Sequence, residues 1–468
     1  SFIANVFTVN GKQKLQRWQG EWHVWDGARY LKWKDTELKA SLTQHVKTEF
    51  DREAKRALAT YKPNPEPSRS KPPTAQKVTR NIVSNVIQAL ESLAHLDAEI
   101  GQPFWLGKEP SPVEVRFTFP TENCLLDLQA LGRGDAGFVS PTPLFFSPRA
   151  VTYRFNPDAQ CPEWIKFLRS VWPSDTGSVA LLQEYVGYCL TNDTSQHKFL
   201  MMVGPPRSGK GTIGRIFKEL VGQDNVASPT LSSLAGQFGL WPLLGKTVAI
   251  VADARLSGRS DSVGVVERLL SIVGEDPQDV DRKCLSPLTA TRLPVRFLVM
   301  SNEVPSLTDA SSAIVTRTLM LRMTQSFTGR EDRNLESRLL AELPGILNWG
   351  IAGWQRLSER GHFQQPATGQ ELVDELKRQA SPISEFIDDC CEVGSECLVP
   401  IPDIYQAYKD WCSEHGRDHA GTESSFGRNL RAAVPSLGIA RHGSGSSRRR
   451  VYIGIGLKSE IPESVSSF

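Results

Sequence analysis

The feature that most constrains this chain is a glycine-rich loop between an apolar run and a helical pattern. The run 198–203 ends in five apolar residues and predicts a buried strand, and residues 213–220 carry apolar side chains at helical spacing. The loop joining them is Gly204, Pro205, Pro206, Arg207, Ser208, Gly209, Lys210, Gly211 and Thr212.

A strand, a glycine-rich loop and a helix in this order are the context of a phosphate-binding loop. Main-chain N–H groups and the positive end of the helix dipole attract phosphate oxygens, and Lys210 adds a charge that reaches the β- and γ-phosphates. A serine or threonine usually follows the lysine and binds magnesium through its hydroxyl. Here Gly211 occupies that position, so either Thr212 or water takes the metal role. A glycine-rich turn without a ligand is the alternative.

A second apolar run, 246–251, leads to Asp253 and resembles the Walker B strand, whose carboxylate holds Mg²⁺ directly or through water. Many ATPases place a glutamate next to orient the attacking water, but here the next residue is Ala254. The candidates for that role are Glu267, Glu275 and Asp276. A turn residue at a strand end is the alternative for Asp253.

A third apolar run, 295–300, is followed by Asn302. The strand before the glycine-rich loop and the strand leading to Asp253 can have a third strand between them. A polar residue at the end of that third strand can touch the γ-phosphate or the attacking water, and Asn302 fits this sensor role. Arg317 stands just before another apolar run and suits an arginine finger that acts in trans on phosphate charge. A surface arginine without a ligand is the alternative.

Overall charge does not point to a nucleic-acid partner, because the formal net charge of the 468 residues is only +2. Any DNA-binding surface must therefore be local. The 8 cysteines are scattered and form no CxxC pair, which favours a reducing, cytoplasmic setting. No apolar run reaches membrane-spanning length and no signal peptide opens the chain. Because the first residue is Ser1, we expect a piece of a longer or processed protein.

The N-terminal third alternates short strands and helices. Tryptophan-rich runs in residues 18–33 predict a hairpin with Asp26-Gly27 as its turn, and we expect the tryptophans to pack a core rather than to stack bases. Residues 62–75 are proline-rich and predict a linker. The remaining elements expected here are helices at 38–58, 77–96, 163–171 and 178–190, with short strands within 104–155.

The C-terminal segment predicts helices at 384–391, 404–414 and 423–433, followed by strands at 439–442 and 451–455. This is a winged helix-turn-helix order, with the third helix as reader and the loop between the strands as wing. Clustered arginines favour DNA phosphate contact over protein docking. They are Arg428, Arg431, Arg441, Arg448, Arg449 and Arg450.

In combination, the motifs resemble a superfamily 3 helicase of the primase–helicase type found in poxviruses, phages and satellite elements. The resemblance rests on 204–212, the strand ending at Asp253, the run 267–276, the segment 301–305 with Asp309, and Arg317. In this family an extra motif precedes a hairpin that grips DNA in a central channel. The resemblance assigns that motif to the run ending in Arg282 and Lys283.

The resemblance implies an α/β fold: a P-loop, AAA+-like ATPase core with a helical collar before it and a C-terminal winged helix domain. It implies ATP and Mg²⁺ as cofactors, a hexameric ring, 3′–5′ translocation on single-stranded DNA, forked DNA as a partner and a primase module on the same chain. The expected divisions are an accessory domain at 1–104, the collar at 105–196, the ATPase at 197–330, a lid and linker at 331–380, the winged helix at 381–456 and a tail at 457–468.

Two other functions remain open from the sequence. One is an origin-recognition or regulatory ATPase that binds DNA without processive unwinding. The other is a P-loop nucleotide kinase, since Gly-Lys-Gly-Thr after Gly-Pro-Pro also looks like nucleoside monophosphate kinases.

Overall fold

The computed structural model describes residues 2–62, 72–97, 100–107, 111–135, 137–254, 259–305, 307, 313–415, 420–442 and 449–458. Within these residues, no helix combines the length and apolar character needed to cross a membrane. Asp309 and Arg448 lie outside the described residues.

The N-terminal residues form a small antiparallel sheet covered by two helices. The predicted hairpin is present, and Asp26 Oδ1 accepts hydrogen bonds from the N–H groups of Ala28 and Arg29 at 2.9 Å each. A third strand precedes it, and Trp18 and Trp22 are buried in this region, as a packing role requires. The elements are α1 (Phe2–Val6), β1 (Thr8–Val9), β2 (Lys12–Gln13), β3 (Leu15–Trp18), β4 (Glu21–Trp25), β5 (Tyr30–Trp33), α2 (Asp35–Thr60) and α3 (Arg80–Ala94).

Short strands and one short helix follow, because prolines and glycines interrupt the apolar runs. Phe146 packs against Trp18 and Tyr30, so this segment shares a small aromatic cluster with the N-terminal sheet. The elements are β6 (Phe104–Trp105), β7 (Thr118–Pro120), β8 (Leu125–Asp127), α4 (Leu128–Gly132), β9 (Phe138–Val139) and β10 (Phe145–Phe146).

Two helices, α5 (Pro162–Val171) and α6 (Thr176–Leu190), connect this segment to the central sheet. Trp172 Nε1 donates to the carbonyl oxygen of Arg322 at 2.7 Å, and Tyr185 Oη donates to that of Phe297 at 2.7 Å. Both acceptors lie on strands of the sheet, so these helices are fixed directly onto it.

The central sheet has five parallel strands. The polar residues that the sequence placed at the ends of predicted strands lie at the carboxyl edge of this sheet. The chain from Phe199 to Arg322 forms β11 (Phe199–Val203), α7 (Lys210–Val221), β12 (Val226–Ala227), α8 (Leu231–Leu234), β13 (Val248–Val251), α9 (Arg259–Val273), β14 (Gln278–Arg282), β15 (Leu285–Thr291), β16 (Arg296–Ser301), α10 (Ala313–Arg317) and β17 (Thr318–Arg322). The strand order is β12-β13-β16-β11-β17.

The order of the strands decides which loops meet. β16 lies between β11 and β13, and Val203 is in register with both Ser301 and Arg322. The loop after β11 therefore emerges beside the ends of β16 and β17. Arg317 precedes β17 and lies at the opposite, amino edge.

The hairpin β14–β15 is an insertion between α9 and β16, with Lys283 and Cys284 forming its turn. The sequence placed Arg282 and Lys283 before a hairpin, but they lie within it. This position was wrong because the polar, proline-containing run 285–291 pairs as a strand rather than forming the turn.

Helices after β17 cover the sheet. Gly187 of α6 lies very close to the second of these helices, which contains Gly350. An added Cβ at Gly187 would lie 2.3 Å from the carbonyl oxygen of Gly350. Glu184 is buried and pairs there with Arg356, Nε to Oε1 at 2.7 Å, and with Arg360. These helices are α11 (Leu335–Ala341), α12 (Leu343–Arg360) and α13 (Ala367–Ala380).

The C-terminal residues build a separate apolar cluster around Phe386, Tyr408, Trp411 and Phe426. The three expected helices and two expected strands are present. One strand that the sequence reading missed, β18, joins them in a sheet of order β18-β20-β19. The elements are α14 (Pro382–Cys390), β18 (Cys391–Pro400), α15 (Ile401–Glu414), α16 (Glu423–Ala433), β19 (Gly438–His442) and β20 (Arg449–Leu457).

Candidate functional site

The loop 204–209 is held between α5 and the chain that follows β17. Gly209 has φ of 97°, and an added Cβ would lie 3.2 Å from Phe167 of α5. At Gly204 an added Cβ would lie 2.2 Å from the carbonyl oxygen of Met323. Larger side chains would displace the loop at both positions, so glycine is required there by close approach and by positive φ.

Lys210 is the first residue of α7 and folds back over the loop. Its Nζ donates to the carbonyl oxygens of Gly204 at 2.5 Å and Pro205 at 2.9 Å, and to Ser208 Oγ at 3.2 Å. Burial lowers the pKa of Lys210, and the nearby charge of Asp253 opposes that shift. The ammonium group thus lies where a phosphate bound by the loop would compete for it.

Asn302 follows β16 and lines the same cleft as Lys210. Since β16 separates β11 from β13, Asn302 lies between the loop and Asp253 along the sheet edge. The sequence predicted this position for Asn302, and its sensor role stays a prediction.

The residue after Asp253 offers no group for activating water. Ala254 is 1% exposed and its N–H donates to the carbonyl oxygen of Met300 at 3.0 Å. Of the acidic residues suggested for this role, Glu275 bonds to Thr194, which precedes β11 at the amino edge of the sheet. Asp276 is adjacent to it, and Glu267 is exposed on α9. Glu275 and Asp276 therefore lie at the sheet edge opposite Lys210.

Gly211 occupies the position where a hydroxyl side chain is usual. Among the described residues, an added Cβ would meet one atom outside the helix backbone, Arg215 Nη1, at 3.3 Å. Thr212 lines the cleft, and its Oγ1 accepts a hydrogen bond from Arg215 Nη2 at 3.5 Å.

The cleft has a volume of about 690 Å³, and its outer wall was missed by sequence reasoning. The wall comes from α5 and from residues 327–338, which approach because the N–H of Phe327 donates to the carbonyl oxygen of Arg207 at 2.9 Å. The charge-dense run 330–338 is the signal that could have identified it. Seven basic and four acidic side chains line the cleft: Lys166, Arg207, Lys210, Arg215, Arg330, Arg333, Arg338, Glu163, Glu331, Asp332 and Glu336.

Ion pairs hold this wall in place. Arg215 Nε lies 2.6 Å from Glu336, which joins α7 to α11. Arg338 lies 3.1 Å from Glu163 and 2.7 Å from Asp332, and its hydrogen bond lowers the pKa of the Asp332 carboxyl. Among the described residues Arg333 has no carboxylate within ion-pair distance, so the wall carries an excess of positive charge.

Arg317 lies at the amino edge of the sheet, across from the loop. Its Nη1 donates to the carbonyl oxygen of Leu270, and an added Cβ at Gly274 would lie 2.9 Å from the same atom. Arg322, at the carboxyl end of β17, pairs with Glu371. Arg317 and the glycine-rich loop therefore lie at opposite edges of the central sheet.

The two basic residues of the hairpin, Arg282 and Lys283, make different contacts. Arg282 Nε and Nη2 donate to the carbonyl oxygen of Ser286 at 2.9 and 2.7 Å, so its guanidinium braces the hairpin itself. Lys283 is exposed at the turn beside the exposed thiol of Cys284.

The C-terminal arginines within the described residues are all exposed. Arg428 and Arg431 lie on α16, and Arg449 and Arg450 begin β20. Arg441 and Arg450 are direct cross-strand partners. Opposed like charges destabilise a strand pair, so this pair favours an anionic partner.

Three family models match parts of the chain. A model described as "D5 N terminal like" matches residues 16–173, "Family of unknown function (DUF5906)" matches 202–317, and "RFX DNA-binding domain" matches 381–459. Each match covers less than half of the chain, so it describes a segment and not the whole protein.

Similar solved structures include three of one protein. "The A form apo structure of NrS-1 C terminal region-CTR" has a TM-score of 0.49 at 10% identity, covering 94% of this chain and 97% of that one. "The apo structure of NrS-1 C terminal region (305-718)" has a TM-score of 0.44 at 14% identity, covering 65% and 78%. An A form of the same region has a TM-score of 0.42 at 13% identity, covering 64% and 77%.

Proposed function

We propose that this chain is the ATP-driven helicase motor of a phage, prophage or plasmid, of the superfamily 3 type. It binds ATP at residues 204–212 and moves 3′ to 5′ on single-stranded DNA as a hexameric ring during replication. One observation carries the proposal: the glycine-rich loop, Asp253 and Asn302 converge at one sheet edge, while a separate hairpin with Lys283 at its turn is inserted between α9 and β16.

The cleft fits Mg²⁺-ATP. Its volume of about 690 Å³ suits a nucleotide, and its positive excess suits a triphosphate. Lys210 holds the phosphates, Asp253 and Thr212 hold the metal, and Asn302 orients the attacking water. Among the described residues no cluster of three or more His, Cys, Asp or Glu forms a cage for a metal. This agrees with magnesium held by one or two protein groups together with phosphate oxygens.

A ring accounts for the position of Arg317. The guanidinium lies at the amino edge of its own sheet, so it serves a neighbour's γ-phosphate rather than its own. Each site is then complete only between two subunits, with Lys210 from one and Arg317 from the other.

Two basic elements provide the DNA contacts. Lys283 at the hairpin turn contacts the backbone of the strand in the channel, and Arg282 shapes the hairpin. The C-terminal residues act as a winged helix that holds duplex DNA at the fork through Arg428, Arg431, Arg448, Arg449 and Arg450.

A second candidate is a DNA-binding regulatory ATPase that does not unwind processively. The match of residues 381–459 to an RFX DNA-binding domain favours tight duplex binding, which this alternative requires.

ATP turnover and strand displacement on a forked substrate distinguish the two. We expect single-stranded DNA to stimulate turnover and ATP to drive strand separation, with Lys210→Ala losing both activities. Lys218→Ala, on the same helix, is the matched control and should retain them. Slow turnover that DNA does not stimulate, with tight duplex binding, would favour the regulator.

The C-terminal contacts are tested separately. Arg441→Gln with Arg450→Gln removes the opposed charges, and we expect weaker fork binding with unchanged basal ATP turnover. Fork affinity equal to that of the unaltered protein would assign the domain to protein docking.

A further inference from the structure

Two arginines are buried in the region where three parts of the fold meet. Arg149 follows β10 and is 5% exposed, and Arg296 begins β16 and is 2% exposed. Arg149 lies close enough for the Arg296 charge to act on it. The meeting point is the amino edge of the central sheet, next to the C-terminal end of α6.

Both guanidinium groups bond to neutral oxygens. Arg149 Nη1 donates to Asn192 Oδ1 at 2.9 Å. Arg296 Nη2 donates to the carbonyl oxygens of Cys189 at 3.1 Å and Thr191 at 2.6 Å, and its Nη1 to that of Pro294 at 3.3 Å. The helix-end carbonyls stabilise a cation, but they supply no full negative charge.

The two groups also have unsatisfied donors. The Nε atoms of Arg149 and Arg296 are both buried without a hydrogen-bond partner. Within the described parts of the chain, neither arginine has a carboxylate within 4.0 Å. A contact of Arg296 with the Tyr188 ring, 5.7 Å from the centroid, offers a modest attraction.

Burial and the neighbouring Arg296 charge lower the pKa of Arg149 to about 9. Arg149 therefore stays protonated at neutral pH, and two positive charges lie together away from water. Buried charges are retained only when they are paired or coordinate an ion, because removing them from water is costly.

A small cavity lies against Arg149. Its volume is about 20 Å³, and its polar lining comes from Thr118, Ser147, Arg149, Asn192, Asn225 and Thr247. Cys189 and Thr191, whose carbonyls bind Arg296, line it as well. A cavity of this size holds one water-sized particle.

We propose that this cavity binds a monatomic anion, namely chloride, which neutralises Arg149. Phosphate, sulfate and carboxylate ligands are too large for the space, and water brings no charge. The ion joins Ser147 and Arg149 to the end of α6. The site lies at the sheet edge opposite Lys210 and does not depend on the proposed helicase activity.

Crystals grown in sodium bromide test the site directly. We expect an anomalous bromide peak inside the cavity, beside the Arg149 guanidinium. Its absence in crystals whose other halide positions are occupied would overturn the proposal and assign the space to water.

Thermal unfolding provides a second test in solution. At equal ionic strength, chloride or bromide should raise the melting temperature by about 2 °C or more over gluconate, which is too large to enter. Arg149→Met should abolish this difference, whereas Arg133→Met, at an exposed arginine paired with Asp135, should preserve it. An equal response in all three proteins would contradict a specific site. Because the bromide map uses the unaltered chain, the proposal remains testable if Arg149→Met does not fold.

Discussion

The guanidinium group of Arg317 donates a hydrogen bond to the main-chain carbonyl oxygen of Leu270 and lies against Gly274. The last residue of α10 is thereby joined to the last turns of α9. Only residues 274–277 separate α9 from the first strand of the hairpin. If, as proposed, Arg317 leaves Leu270 to reach a neighbour's phosphate, it releases a contact at the base of the β14–β15 hairpin. Nucleotide state and hairpin position are then linked through one side chain.

Arg317→Ala should bind ATP nearly normally but hydrolyse it at least about 100-fold more slowly, since an arginine finger contributes several powers of ten. Mixing it with Lys210→Ala should restore part of the activity, because some interfaces then combine an intact Arg317 with an intact Lys210. Turnover of the separate and mixed variants measures this. Arg322→Ala, at a surface pair with Glu371, is the control and should stay active.

Co-assembled variants that recover no activity would contradict a role in trans. A fluorophore on Cys284, exposed at the hairpin turn, provides a further readout. In the unaltered protein we expect ATP to change its emission, and in Arg317→Ala we expect this response to be lost.

Lys283→Gln should reduce affinity for single-stranded DNA. The slope of log K against the logarithm of the salt concentration should become less negative by about 0.7, which is the contribution of one phosphate contact. Arg282→Gln acts differently, because its guanidinium bonds to Ser286 within the hairpin. Its main effect should be faster amide exchange in β14 and β15. Arg292→Gln, after the hairpin, serves as the control for Lys283, and an unchanged slope in Lys283→Gln would exclude the turn as a DNA contact.

Gly211→Ser should fold normally, because the neighbour that a new Cβ meets among the described residues is the end of a long side chain, Arg215 Nη1 at 3.3 Å, and not main chain of another element. The hydroxyl would stand at the usual metal-binding position, so we expect less Mg²⁺ to be needed for half-maximal ATP turnover. Thr212→Val should raise that requirement if Thr212 now holds the metal. Magnesium titrations of both variants measure this, with Ser170→Ala in the cleft wall as control.

The elements around the glycine-rich loop were predictable because the pattern of apolar and polar residues within each segment defines them. β11, β13 and β16 are fully buried and therefore read as continuous apolar runs with polar ends. α16 begins at Glu423 as expected, since Thr422 caps it by accepting a hydrogen bond from the N–H of Ser425.

Features that depend on distant partners were not predictable. β18 has a mostly exposed surface and is specified by pairing with β20, more than fifty residues further along the chain. The cleft wall at 327–338 becomes part of the site only through its contact with Arg207. Nothing local distinguishes the buried Arg149 and Arg296 from surface arginines.

His23 should make the N-terminal sheet sensitive to acid. The side chain is fully buried, its Nδ1 lies 3.1 Å from the carbonyl oxygen of Glu21, and its Nε2 has no hydrogen-bond partner. Burial lowers its pKa from 6.5 to about 4. The unfolded chain thus takes up the proton more readily, and stability is retained above pH 6.5 and lost as pH falls toward 4. The shift corresponds to a loss of about 3 kcal/mol.

Amide hydrogen exchange in β3, β4 and β5 measures this effect between pH 7 and 4, after correction for the intrinsic pH dependence of exchange. His23→Phe keeps an aromatic ring against Phe146 and should remove the loss of protection that protonation of His23 causes at acid pH. His362→Gln, at an exposed position in another part of the fold, should leave it unchanged. If His23→Phe and the unaltered chain lose protection at the same pH, the acid sensitivity of this sheet has another source.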